Sequence, residues 1–140
     1  MAQVPELVTG FAATLGLTFE DVSGDRVEIR WKMRPELAQP YGIMHGGVHC
    51  AVVETAASVG AALWLGTAGQ VVGVSNQTDF LRAVREGELT AVATPVHRGR
   101  SQQLWQVEIR DITERLVARG QVRLQNIATA EHLGAPAGDA

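Results

Sequence analysis

One carboxylate interrupts the longest apolar run of this 140-residue chain: Glu54, in the stretch PYGIMHGGVHCAVVETAAS over residues 40–58. A buried and unpaired carboxylate is costly or gives up its charge. Glu54 therefore reaches solvent, pairs with an arginine across the fold, or is held in place for chemistry. Ser58 follows four residues later, on the same face of a helix. A carboxylate beside a hydroxyl can activate a water or attack an electrophile directly. Gly46 and Gly47 stand where a loop runs into that helix. The first N–H groups of a helix lack internal acceptors and carry the positive end of its dipole, and glycine lets a ligand approach them. Such a site suits an oxyanion or a polarised carbonyl oxygen. An ordinary tight turn before a helix would read the same way.

His45 and His49 have i, i+4 spacing, which invites a metal reading. The first lies in the loop and no third ligand is evident, so no metal site is expected. His45 is expected to fix the loop by a hydrogen bond to backbone, and His49 to lie on the helix surface or at an interface. Cys50 has no base beside it and reads as a small packing residue. No nucleophile elbow, phosphate-binding loop or dinucleotide fingerprint occurs.

The elements that must position these groups are legible from periodicity and punctuation. Residues 3–15 read as a modest amphipathic helix, stopped by Gly16. Residues 17–22 and 26–33 read as two strands around a Ser-Gly-Asp turn. In the second, Val27, Ile29 and Trp31 alternate with charged residues, the mark of one wet face. Pro35, Pro40, Gly42 and Gly46 mark residues 35–46 as loop. Residues 47–65 form the principal helix, with little polar surface. Four strands follow near 70–81, 87–98, 102–112 and 115–127, expected as a meander. In the last, Leu116, Ala118, Gly120, Val122 and Leu124 share a face.

Hairpin-connected strands around one helix predict an α+β fold with a mainly antiparallel sheet. Residues 1–128 are expected as a single domain and 129–140 as a loose tail. A sheet curling around an apolar helix covers one side of it, so the other side calls for a second copy. A homodimer is expected, with any site at the helix close to the subunit interface.

Composition bounds the rest. Hydrophobic residues make up 46% and charged residues 19%, which is globular rather than disordered. The net charge of −3 and the absence of a basic, aromatic-studded patch argue against nucleic acid. One cysteine excludes an intrachain disulfide and fits a reducing compartment, so a cytoplasmic location is expected. No signal peptide is read, and the run from Ala51 to Leu65 is too short to span a membrane.

The segment QPYGIMHGGVHCAVVETAAS strongly resembles the loop and central helix of hotdog-fold acyl-CoA thioesterases of the phenylacetate-pathway (PaaI-like) group, nearest to the aryl-CoA and enterobactin-proofreading type. The shared motif is an amide residue, five residues, His-Gly-Gly, and an acid nine residues after the His: here Gln39, His45-Gly46-Gly47 and Glu54. The likeness covers roughly residues 15–127. It implies a hotdog fold and a role for each matching residue. Glu54 is the nucleophile or general base, and Gln39 positions the thioester carbonyl or the water. The Gly46 N–H polarises the carbonyl, with Gly47 beside it. Ser58 orients the water or intermediate, and His45 lies near the leaving group. The resemblance also implies that loop and acid of one site come from different subunits, in a tetramer built from dimers. Phe80 stands where enterobactin-type relatives carry a His that meets a hydroxylated acyl group, which favours a more apolar one. Arg82, Arg98 and Arg100 are candidates for CoA phosphates. The expected activity is hydrolysis of an aromatic or medium-chain acyl-CoA, with no cofactor. The rivals are a hotdog enoyl-CoA hydratase or dehydratase and a non-catalytic acyl-CoA-binding module.

Overall fold

A computed structural model describes residues 7–128. Six strands form one antiparallel sheet around a long helix: α1 (Gly10–Leu15), β1 (Thr18–Val22), β2 (Val27–Lys32), α2 (Gly46–Leu65), β3 (Gly69–Phe80), β4 (Glu88–Arg98), β5 (Gln102–Arg110) and β6 (Leu116–Ala128). The order across the sheet is β1-β2-β4-β5-β6-β3. This is the hotdog fold that the resemblance implies. Of the helix expected over 3–15, residues 3–6 lie outside the described residues. Residues 7–9 are corrected to lie outside the helix, since the extended Thr9 is the N-cap of a helix that starts at Gly10. The expected tail lies outside the described residues entirely.

The expected four-strand meander is corrected by this order. β4, β5 and β6 are consecutive neighbours, but β3 pairs with β6 and residues 81–87 carry the chain across to β4. Local turn signals mark where strands end and say nothing of which distant strand they join. β3 thereby becomes an edge of 12 residues with none of its side chains fully buried.

Alternation in β2, β5 and β6 places Ile29, Trp31, Trp105, Ile109, Val122 and Leu124 beneath the sheet, all essentially inaccessible. Against them α2 buries Val48, Val52, Val53, Ala56, Ala57 and Ala61, the i, i+4 spacing of one helical face. Small residues let the helix sit close. A Cβ on Gly60 would lie 2.6 Å from the Trp105 ring. That indole is fixed in turn, because its Nε1 donates to the buried Gln103 Oε1 at 2.8 Å.

The opposite face of α2, with Ala51, Thr55, Val59 and Ala62, is only partly covered. The continuous helical stretch Gly46–Ala68 has 23 residues and is long and apolar enough to cross a bilayer. The expectation that its apolar run is too short is corrected on that point. Its packing beneath the sheet accounts for the composition.

Candidate active site

The loop before α2 is a small hairpin. Ala38 bridges Met44, the Gln39 N–H donates to the Ile43 carbonyl at 2.9 Å, and the Met44 N–H donates to Val84 O at 2.7 Å. The Gln39 side-chain oxygen accepts from the Tyr41 N–H, which leaves its NH2 group free to face a ligand. His45 is the N-cap of α2, and its Nδ1 accepts from the Gly47 N–H at 2.7 Å. This is the backbone bond expected of His45. It also occupies the Gly47 amide, so of the glycine pair only Gly46 has its N–H without an acceptor among the described residues.

A cavity of about 510 Å³ opens at this helix end, bounded by Gln39, Met44, Gly46, His49, Phe80 and Arg82 among others. The Phe80 ring lies over Gly46, where an added Cβ would come within 2.7 Å of it. His49 is corrected from surface to core: it is 3% exposed, with its ring 6.0 Å from that of Phe80. Phe80 and the sheet cover a helix face that the sequence alone leaves open. Burial lowers the His49 pKa to about 4, so the imidazole is neutral near pH 7, and its Nδ1 has no hydrogen-bond partner among the described residues.

Glu54 is half-buried in the middle of α2 and does not border that cavity. It stands eight residues from Gly46, about 12 Å along a helix rising ~1.5 Å per residue. Its Oε2 accepts a long 3.5 Å contact from the Ser58 hydroxyl, and its Oε1 accepts from Asn76 Nδ2 at 3.1 Å. No arginine pairs with it among the described residues. The ion-pair alternative thus falls away. The carboxylate lies against the bare Cα of Gly73 in β3, where an added Cβ would be 2.1 Å from Oε2. Neither Asn76 nor Gly73 was foreseen. A lone glycine inside a strand pattern signals close approach, and that signal was present at Gly73.

The arginines divide. Arg82 is exposed at the cavity beside Phe80. Arg100 is exposed near the other end of α2, in a groove with Trp64 and Ala128. Arg98 is engaged: it donates to Asp25 Oδ1 and to the Gly24 carbonyl, each at 2.7 Å, and its guanidinium lies 5.5 Å from the Trp64 ring centroid. Among the described residues no group of three or more His, Cys, Asp or Glu could hold a metal.

Comparison with known proteins places the chain in a family. Residues 41–118 match the family described as the thioesterase superfamily. A Mycobacterium tuberculosis protein with the provisional name esterase is 50% identical over 120 residues, which cover 84% of this chain and 86% of that one. The 1,4-dihydroxy-2-naphthoyl-CoA hydrolase of Escherichia coli is 33% identical over 102 residues, or 73% of this chain and 75% of the enzyme. The crystal structure of a Haemophilus influenzae thioesterase superimposes with a TM-score of 0.87 at 32% identity, covering 96% of each chain.

Proposed function

The chain belongs to the thioesterase superfamily and is a thioester hydrolase, and on that premise we propose that its substrate is an acyl-CoA with an aromatic or medium-chain acyl group, cleaved in a site shared by two protomers. The observation that carries this reading is the Glu54 carboxylate, half-buried, paired with no arginine among the described residues and flanked by hydrogen-bond donors. Nothing in the packing requires an acid there. The CoA ester follows from the hydrolase among the relatives, which acts on a CoA thioester by name.

Each group has a task. The Gly46 N–H, at the positive end of α2, polarises the thioester carbonyl. The Gln39 amide orients that carbonyl or the attacking water. Glu54 acts on the carbonyl carbon, directly or through a water whose proton it takes, with Ser58 holding the water or intermediate. The C–S bond breaks and sulfur leaves as CoA-SH, with His45 near the leaving group. The thiol proton is the one that Glu54 removed from the water or, after direct attack, one from solvent. After direct attack a water then hydrolyses the mixed anhydride on Glu54 to free the acid. The mainly apolar cavity beside Gly46 accommodates the acyl group. Arg82 and Arg100 are the arginines left to meet CoA phosphates, since Arg98 is already paired.

Two features support the shared site. Glu54 and the Gly46 amide are too far apart along one helix to grip one carbonyl. β3, the last strand of the sheet among the described residues, and the half-covered face of α2 are surfaces a second copy would cover. Dimers then build the tetramer that the PaaI-like resemblance implies. With a CoA ester as substrate and a single thiol in the chain, the cytoplasm is the proposed location.

Free-thiol release from a panel of acyl-CoAs tests the reading, run beside Glu54→Gln. The wild type should release CoA-SH from aromatic or medium-chain esters. The variant should melt no lower and lose roughly two to four orders of magnitude in turnover, the scale of a lost base or nucleophile. Hydration of an enoyl-CoA, or binding without turnover, would replace the reading with one of its rivals. A stable variant with near-normal turnover would put the acid elsewhere.

A further inference from the structure

We infer that Asn76 is the positioning residue of Glu54: it holds Oε1 so that Oε2 is the oxygen that acts, a role resting on the reading of Glu54 given above. Asn76 Nδ2 donates at 3.1 Å to Glu54 Oε1 and at 3.1 Å to the Cys50 carbonyl, one turn earlier on α2. The amide cannot be turned around. Its Oδ1 accepts from the Thr78 hydroxyl at 2.7 Å, and the reversed orientation would set a carbonyl oxygen against the carboxylate. Thr78 in turn lies close on Gly120 of β6, where an added Cβ would meet its Oγ1 at 2.6 Å. A line of contacts thus runs from β6 through Thr78 and Asn76 to one oxygen of Glu54. The other oxygen keeps the Ser58 hydroxyl at 3.5 Å and lies against the bare Cα of Gly73, where an added Cβ would be 2.1 Å from it.

A break in strand regularity makes this possible. Residues three apart on a strand point to opposite faces. Yet Gly73 and Asn76 both face Glu54. The register with β6 slips between Gly73, opposite Leu124, and Ser75, opposite Arg123, which leaves Val74 as the extra residue of a bulge. The bulge turns Asn76 onto the helix side, and Val74 is half-exposed. Without it, the bare position and the carboxamide would lie on opposite faces of β3. A carboxylate with one oxygen tied to a fixed donor loses the rotational freedom that an attacking or proton-accepting group cannot use. Because β3 is the open edge of the sheet, a second copy pairing there would shield this arrangement from water.

The test is a double-mutant cycle on the full chain: wild type, Asn76→Ala, Glu54→Ala and the pair, each followed by thiol release and by thermal melting. Asn76→Ala should lower kcat about 10- to 100-fold and leave KM within about threefold, since only orientation is lost. In the Glu54→Ala background the same change should cost nothing further in rate, and the two losses of Tm should not add. Thr78→Ser should keep the rate and Thr78→Val should lose part of it. A kcat within twofold of wild type would overturn the role, as would an equal kcat loss in both backgrounds or a rise in KM alone. If the wild type releases thiol from no ester, the reading of the reaction fails on that result, and the melting cycle still decides whether Asn76 and Glu54 are coupled.

Discussion

At the scale of single residues, two buried or half-buried titratable groups on α2 have opposite surroundings. Glu54 has donors on both oxygens and a glycine beneath it. His49 has no partner at Nδ1 among the described residues and is held neutral near pH 7 by burial, its pKa at about 4. Its ordinary value is about 6.5. Between those two values the unfolded chain binds a proton that the folded chain does not, so stability falls as pH drops through that window. The loss levels off below about pH 4, at ~3 kcal/mol for this group. Chemical denaturation from pH 7 to pH 4 should show this decline in the wild type and a shallower one in His49→Leu. Parallel curves would mean that His49 does not drive it. The proposed site residues Gln39, His45, Gly46, Glu54 and Ser58 stand out in the sequence by residue type and spacing along one loop and the helix that follows it. Asn76 was not, since its aim depends on a bulge that no spacing rule announces.

At the scale of elements, α2 sits close to the sheet because its inner face, His49 apart, is built of Ala, Val and one glycine. Gly60→Ala would raise intrinsic helix propensity by about 1 kcal/mol. Its Cβ would also meet the Trp105 ring at 2.6 Å, and that ring is tied by Gln103 and cannot yield. Overpacking of this kind costs about 1–3 kcal/mol, so the variant should melt a few degrees lower. A higher Tm would show that the helix can move off the indole. Most element bounds were readable to within a residue or two, as with the strand expected over 26–33 and found at Val27–Lys32. The order of the strands was not. β3 joins β6 through contacts distant in sequence, and the composition of residues 81–87 does not encode a crossover. Arg98 shows the same limit: its partners Gly24 and Asp25 lie more than 70 residues away, at |i−j| of 74 and 73.

At the scale of the whole molecule, the proposed shared site would have one chain present half of each of two sites. The loop with Gln39 and Gly46 lies at one end of α2, and Glu54 lies two turns in, against β3. A second copy along β3 would bring a partner loop to each acid. Co-expression of two differently tagged, individually defective chains tests this most directly. One carries Glu54→Ala and the other Gly46→Pro, which removes the amide hydrogen at the first helical position and also sets its ring against Phe80, so that this loop is disabled on both counts. The hybrid dimer, isolated through both tags, contains one site with both defects and one with neither. It should recover about half of the wild-type thiol release per dimer, while each parent homodimer stays near background. A hybrid no more active than its parents would place the acid and the loop of each site within one chain and contradict the shared-site account.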